Sequence, residues 1–244
     1  MFFMAIPHNS GVRIARCCLM NTRGDFVSLK TKATASLVVN LLVAAITTGV
    51  IISYFFTENS IIKSKSEIFY FFTTDSNIFA AIGSVVVAIF DVKILRNKAK
   101  LLPKAALILK FAGTVCLTIT MLTSLFYLAP KYSFSFIFGG TYFHVHLCAP
   151  LMSLISLCVF EKGYRLSIAA AHIAYLPVMI YSVVYIIMVV VIGEKNGGWR
   201  DLYSFNANGN FWISLVAMAL QCIVVVYSVR ALYNIGIKKE KALR

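Results

Sequence analysis

The sequence predicts an all-α polytopic membrane protein with six transmembrane helices and both termini on the cytoplasmic side. Three observations predict it. Hydrophobic residues make up 60% of the chain and charged residues only 13%, a balance of bilayer-spanning chains rather than large soluble cores. Six stretches, 33–56, 68–90, 105–129, 141–160, 167–193 and 209–235, are apolar for about 20 residues or more, the length a helix needs to cross roughly 30 Å of hydrocarbon. Basic residues then alternate from loop to loop. Lys93, Arg96, Lys98, Lys100 and Lys104 follow the second stretch, Lys162 and Arg165 the fourth, and Arg230, Lys238, Lys239, Lys241 and Arg244 lie at the C-terminal end. The intervening loops hold only Lys63, Lys65, Lys131, Lys195 and Arg200. That is the positive-inside pattern. It assigns the net charge of +14 to topology, and nucleic acid is not among the expected partners.

Taken in order, residues 1–32 read as a cytoplasmic N-terminal tail, partly disordered, with Arg13, Arg16, Arg23, Lys30 and Lys32. Its first six residues are apolar but too short for a signal-peptide core and lack a preceding basic region. Translation starting at Met20 instead of Met1 is an open alternative. Residues 33–235 form the six-helix domain and 236–244 a basic cytoplasmic tail. Pro103 opens the third span and Pro130 closes it, Gly139-Gly140 precedes the fourth, and Gly197-Gly198 breaks the loop before the sixth. Lys110 reads as a side chain that snorkels to the cytoplasmic interface. Pro177 is expected to kink the fifth span, with Tyr181 and Tyr185 on one face beyond it, either lining a cavity or packing. Tyr127, Tyr132, Tyr142, Trp199, Tyr203 and Trp212 gather near the predicted outer interface as an aromatic belt. Cys116, Cys148, Cys158 and Cys222 lie in spans as small hydrophobes, and the cytoplasmic Cys17-Cys18 pair is not expected to form a disulfide. No metal-ligand cluster, phosphate loop or dinucleotide fingerprint is present, so neither metal nor cofactor is expected.

The second span carries Thr73-Thr74-Asp75-Ser76-Asn77 near its start, and polar groups in hydrocarbon normally face a bundle interior or a water-filled cavity. Running inward from the outer surface, the span places them about 7 to 14 Å along the helix. The fourth span puts His144 and His146 at similar depth, and the external loop 197–203 carries Arg200 and Asp201. Thr73, Ser76, Asn77, Ala80 and Ser84 fall on one small and polar face, with Asp75 turned away. His146 shares a face with Ala149, Pro150 and Ser153, so it is the histidine expected to look into the bundle, and His144 the one at the interface. Ser76, Asn77 and Ser84 read first as interhelical hydrogen-bond ties. Asp75 needs a partner, with His146, Arg200 or a water-filled vestibule as candidates.

A hydroxyl becomes a nucleophile when a base within hydrogen-bond reach takes its proton. Thr73 can supply the hydroxyl, His146 the base, and Asp75 or Asp201 an orienting carboxylate. Ser76 or Asn77 could donate to the oxyanion, and Tyr181 could contact substrate.

The run 70–77, Tyr-Phe-Phe-Thr-Thr-Asp-Ser-Asn, resembles the Y-F-T-x-x-S-N signature of a bacterial six-span membrane-protein family. His146 to Pro150 is similar to its H-x-x-x-P element, ahead of a fourth helix ending in an acidic residue, here Glu161. The resemblance covers about residues 33–235 and extends distantly to the androgen-induced and androgen-dependent membrane threonine hydrolases of animals, which cleave fatty acid esters of hydroxy fatty acids. It implies Thr73 as nucleophile and His146, or His144 in a shifted register, as the histidine. The animal motif has a wider gap between histidine and proline and lacks the Ser-Asn pair.

Three readings follow. The first is a hydrolase of lipid esters embedded in the cytoplasmic membrane, with membrane lipids and an amphipathic substrate as its partners. The second is a small-solute or proton transporter centred on Asp75, against which polar groups concentrate at one depth. The third is a non-catalytic scaffold or accessory subunit. Oligomeric state is not read from the sequence.

Overall fold

The computed structural model of the chain describes residues 11–56, 64–206 and 209–237, with side chains from residue 28 onward in the first helix. Among the described residues all regular structure is helical. The helices are α1 (Gly11–Phe56), α2 (Phe72–Leu95), α3 (Lys104–Lys131), α4 (His144–Phe160), α5 (Ile168–Ile192) and α6 (Phe211–Asn234). Five are long and apolar enough to cross a bilayer, α1 doing so over Ser28–Phe56. The fourth predicted span is shorter than expected: α4 falls among the helices of 10–17 residues. Gly140, at φ +53, turns the chain just before it and keeps the helix from starting earlier.

The segment 11–32, expected as a tail, is helical and continuous with the first span. Met1, the Cys17-Cys18 side chains, Lys63 and the basic tail 238–244 lie outside what is described, and Met20 falls within the α1 backbone.

Hydrocarbon offers no partner for a free N–H or C=O, so these apolar stretches close their backbone bonds within each segment. α3 is the central helix: 78% of its most apolar window is buried, against 28%, 17% and 22% for α1, α5 and α6. Those three therefore present most of their apolar surface outward. α2 approaches α3 closely because Gly113 faces Ala80, and a Cβ on Gly113 would lie 2.9 Å from the Ala80 Cα. Small residues at such crossings let helices approach.

Two prolines shape the helices beside the site. Pro130 and Pro150 each follow a stretch of π-helix, Ser124–Leu128 and His144–Cys148, closed by Ala129 N–H to the Ser124 carbonyl and Ala149 N–H to that of His144. A proline ring crowds the carbonyl four residues back and donates nothing to it. The turn before it widens, which accounts for both segments. The widened turn of α4 is the one that carries His146.

Candidate functional site

One end of the bundle gathers the starts of α2 and α4 and the loop between α5 and α6. The Phe72 N–H donates to the Tyr203 hydroxyl at 2.8 Å, and Asn77 Nδ2 donates to the Val145 carbonyl at 3.5 Å. The three polar groups that alternation of the spans puts on one side do share one end.

Thr73 and His146 line a single cavity of about 260 Å³, together with Tyr54, Thr74, Tyr142 and Tyr203. His146 is buried, stacked on Tyr142 at 5.8 Å and 11° and edge-on to Phe138 at 6.2 Å. Its Nδ1 lies 2.7 Å from the Ile137 carbonyl. A carbonyl only accepts, so Nδ1 carries the proton and Nε2 keeps its lone pair in the neutral ring. Ile137 stands in a one-turn helix, Phe134–Ile137, that doubles back between α3 and α4. His144 is exposed, against Phe143, as the face reading expects.

The orienting partner differs from the expected one. Asp75 and Asp201 were candidates, and the ring is held by a backbone carbonyl instead. Asp75 is half-buried, and its charge reaches Tyr181 and Tyr203. Asp201 builds the loop: its carboxylate accepts from Tyr185 Oη at 2.9 Å and from the Phe205 and Asn206 N–H groups at 2.8 Å each. Beside it Arg200 pairs with Glu67 at 3.1 Å, and Trp199 stacks on Tyr70 at 4.4 Å. Of the aromatic residues read as a belt, Trp199, Tyr203 and Tyr127 hold this loop against the helix ends, whereas Tyr132 and Trp212 are exposed.

Ser76 and Asn77 are ties between helices and line neither cavity. Ser76 Oγ meets Thr120 Oγ1 at 2.8 Å. Asn77 Nδ2 also donates to the Thr73 carbonyl at 2.7 Å, so its amide hydrogens are committed and not free for an oxyanion. Tyr181 donates to the Tyr70 carbonyl at 2.8 Å and, with Tyr185, lines a second cavity of about 50 Å³ between α2, α3, α5 and α6. Thr73, Leu128 and Tyr203 belong to the walls of both cavities.

Tyr203, read from sequence as an interfacial anchor, is the residue that reasoning missed. Its oxygen accepts from the Phe72 and Thr73 N–H groups at the start of α2, where the helix offers unpaired donors. Burial pushes its phenol up to about 12, with a hydrogen bond to Tyr181 and then those N–H groups pulling the other way. Its own proton is therefore retained, and because Tyr181 donates to Tyr70 that proton faces the Tyr181 oxygen. No sequence signal separates it from Tyr127 or Tyr132.

Two further expectations are corrected at the other end. Lys110 does not snorkel: it is 1% exposed and donates to Ser84 and Ser153, each at 3.0 Å. Nor do polar groups concentrate at one depth. Along α2, α3 and α4, buried Ser76, Thr120, Thr114, Ser153, Ser84 and Asp91 continue through the bundle. No three His, Cys, Asp or Glu side chains gather in a metal-binding group among the described residues.

No family model matches the chain, and no curated protein or solved structure matches it significantly.

Proposed function

We propose that the chain is a hydrolase of lipid esters embedded in the cytoplasmic membrane, six-spanning, with both termini inside and the site near the outer face. One observation carries the reading. His146 has its Nδ1 proton fixed on a carbonyl and its Nε2 unprotonated, in a cavity whose wall also contains Thr73. In the reaction, Nε2 takes the Thr73 hydroxyl proton as Oγ1 attacks the ester carbonyl. Tyr203 turns its hydroxyl from Tyr181 and donates a hydrogen bond to the developing oxyanion. The alkoxide leaves with the proton from His146, and water then attacks the acyl-threonine with His146 again as base. Thr73 stands between two largely apolar cavities, which suits an ester with an apolar chain on each side of its carbonyl.

The test is labelling of the folded protein by a fluorophosphonate probe. Wild type is expected to label at Thr73, and Thr73→Ala and His146→Ala to lose the label. Wild-type protein that stays unlabelled, or a label on another residue, refutes the assignment.

Transport is the second reading, and the buried polar side chains that run from Ser76 to Asp91 favour it. Asp75 stands half-buried, off that column, so Asp91 and Lys110 replace it as the groups to test. Proton or solute flux in liposomes, lost in Asp91→Asn and kept in Thr73→Ala, would favour transport over hydrolysis.

A further inference from the structure

At the end of the bundle away from Thr73, α1, α2 and α4 enclose two carboxylates that the proposed hydrolysis does not use. Asp91 of α2 and Glu161 at the end of α4 are both buried, and Asn40 of α1, bonded to Glu161 and to the Ser36 that reaches Asp91, is 0% exposed. Eighteen residues separate Thr73 from Asp91 on one helix, about 27 Å at 1.5 Å per residue.

The donors in this cluster are spent on one side of it. Asn40 Nδ2 faces four acceptors: the Ser36 carbonyl at 2.9 Å, Ser36 Oγ at 3.2 Å, Ser156 Oγ at 3.2 Å and Glu161 Oε1 at 2.8 Å. That crowd of acceptors fixes which amide atom is nitrogen. Ser156 Oγ donates to the same Glu161 Oε1 at 2.6 Å, and Ser36 hydrogen-bonds Asp91. Among the described residues, three oxygens of the cluster have no hydrogen-bond partner: Asn40 Oδ1, Asp91 Oδ2 and Glu161 Oε2. All three are acceptors, so they cannot satisfy one another.

The charges do not close either. Lys110 is near enough to act on Asp91, but its ammonium is hydrogen-bonded to Ser84 and Ser153 rather than to a carboxylate. Among the described side chains, two carboxylates against one ammonium leave a single negative charge in the bundle interior. Unpaired charge there is strongly disfavoured. A bound cation would supply both missing terms, a partner for the orphaned oxygens and one positive charge. Oxygen-only ligation selects a hard ion, and the residual charge of one selects a monovalent over a divalent ion.

We infer that Asn40, Asp91 and Glu161 form a buried binding site for a small monovalent cation of the sodium type. The site ties α1, α2 and α4 together at the end opposite the cavity and owes nothing to Thr73 or His146.

The experiment uses the full chain in detergent at fixed pH and ionic strength, with choline, potassium, lithium or sodium as the cation. Thermal unfolding is expected to shift upward and saturate with sodium, but not with choline. Asp91→Asn and Asn40→Ala should lose the shift, and Thr73→Ala should keep it while losing its label, which separates this site from the proposed hydrolysis. In parallel, wild-type protein should broaden the sodium-23 resonance, and lithium should relieve the broadening. That measurement decides even where a variant fails to fold. Equal midpoints in sodium and choline with no broadening overturn the inference. So does a midpoint that responds to pH alone, because a proton then fills the site.

Discussion

Replacing His146 by asparagine as well as by alanine separates what the ring does for the fold from what it does for chemistry. An asparagine amide nitrogen stands about where Nδ1 stands, so His146→Asn keeps a donor for the Ile137 carbonyl, now 2.7 Å from the ring. It removes Nε2. His146→Ala removes both and leaves that carbonyl without its partner, at a cost of about 1–3 kcal/mol. Either variant gives up the ring pairs with Tyr142 and Phe138, about 0.5–1.5 kcal/mol for such contacts. His146→Ala should thus be less stable than wild type by about 2–4 kcal/mol and His146→Asn by about 1 kcal/mol. The difference between the variants corresponds to roughly 3–10 °C in unfolding midpoint. Fluorophosphonate labelling should behave differently, falling about 10²–10⁴-fold in both, the range for a lost general base. Thermal unfolding and labelling on the same preparations give the two numbers. If His146→Asn labels like wild type, His146 is not the base. If the two variants unfold together, the Ile137 bond does not hold the ring.

Other predictions follow from neighbouring contacts. Gly113→Val should destabilise by about 1–3 kcal/mol or more, because its Cβ meets Ala80 backbone, and circular dichroism melts in detergent would register it. Tyr203→Phe should lower labelling while leaving the Thr73 hydroxyl intact. The wild-type phenol, raised from about 10 to about 12, stabilises the fold fully below pH 10 and progressively less up to pH 12. The stability gap between wild type and Tyr203→Phe should accordingly narrow by at most about 3 kcal/mol across that window, measured by denaturation at each pH. Asp201→Ala strips the acceptor from Tyr185, Phe205 and Asn206, and should speed tryptic cleavage after Arg200. Gly198→Ala should do the same, since a Cβ there would land on the Met188 carbonyl oxygen.

The all-helical, membrane-spanning character was legible because membrane helices announce themselves by length and hydropathy, five of them at full length, and the faces because small residues mark helix crossings. His146 was separable from His144 by the Ala149, Pro150 and Ser153 beside it, and both histidines lie where that pattern puts them. The α2 stripe through Ser76, Asn77, Ala80 and Ser84 is buried as the spacing predicts. Carried two more turns, through Val87, the same stripe reaches Asp91, so that residue was readable and overlooked. Lys110 was not readable in the same way. α3 is buried on nearly every side, so no apolar face reveals which way its lysine points. The partners of His146 and Tyr203 were hidden for another reason. They are backbone groups, the Ile137 carbonyl and the first N–H groups of α2, and any residue type supplies them.

That choice of partner bears on the chemistry proposed for the cavity. In a serine-histidine-aspartate triad the carboxylate does two things, holding the imidazole in one tautomer and stabilising the imidazolium as it forms. The Ile137 carbonyl performs the first, since it can pair only with a protonated Nδ1. It offers a dipole, not a charge, for the second. Asp75 does not fill the gap, because its charge is felt at Tyr181 and Tyr203 and not among the groups acting on His146. In the proposed reaction, proton transfer from Thr73 would therefore lean on the Tyr203 hydrogen bond to the oxyanion. A site built this way discriminates by shape and desolvation more than by nucleophile strength. If the proposed hydrolysis holds, esters whose apolar arms fill both cavities should turn over faster than short, water-soluble ones, and equal rates on the two would refute it.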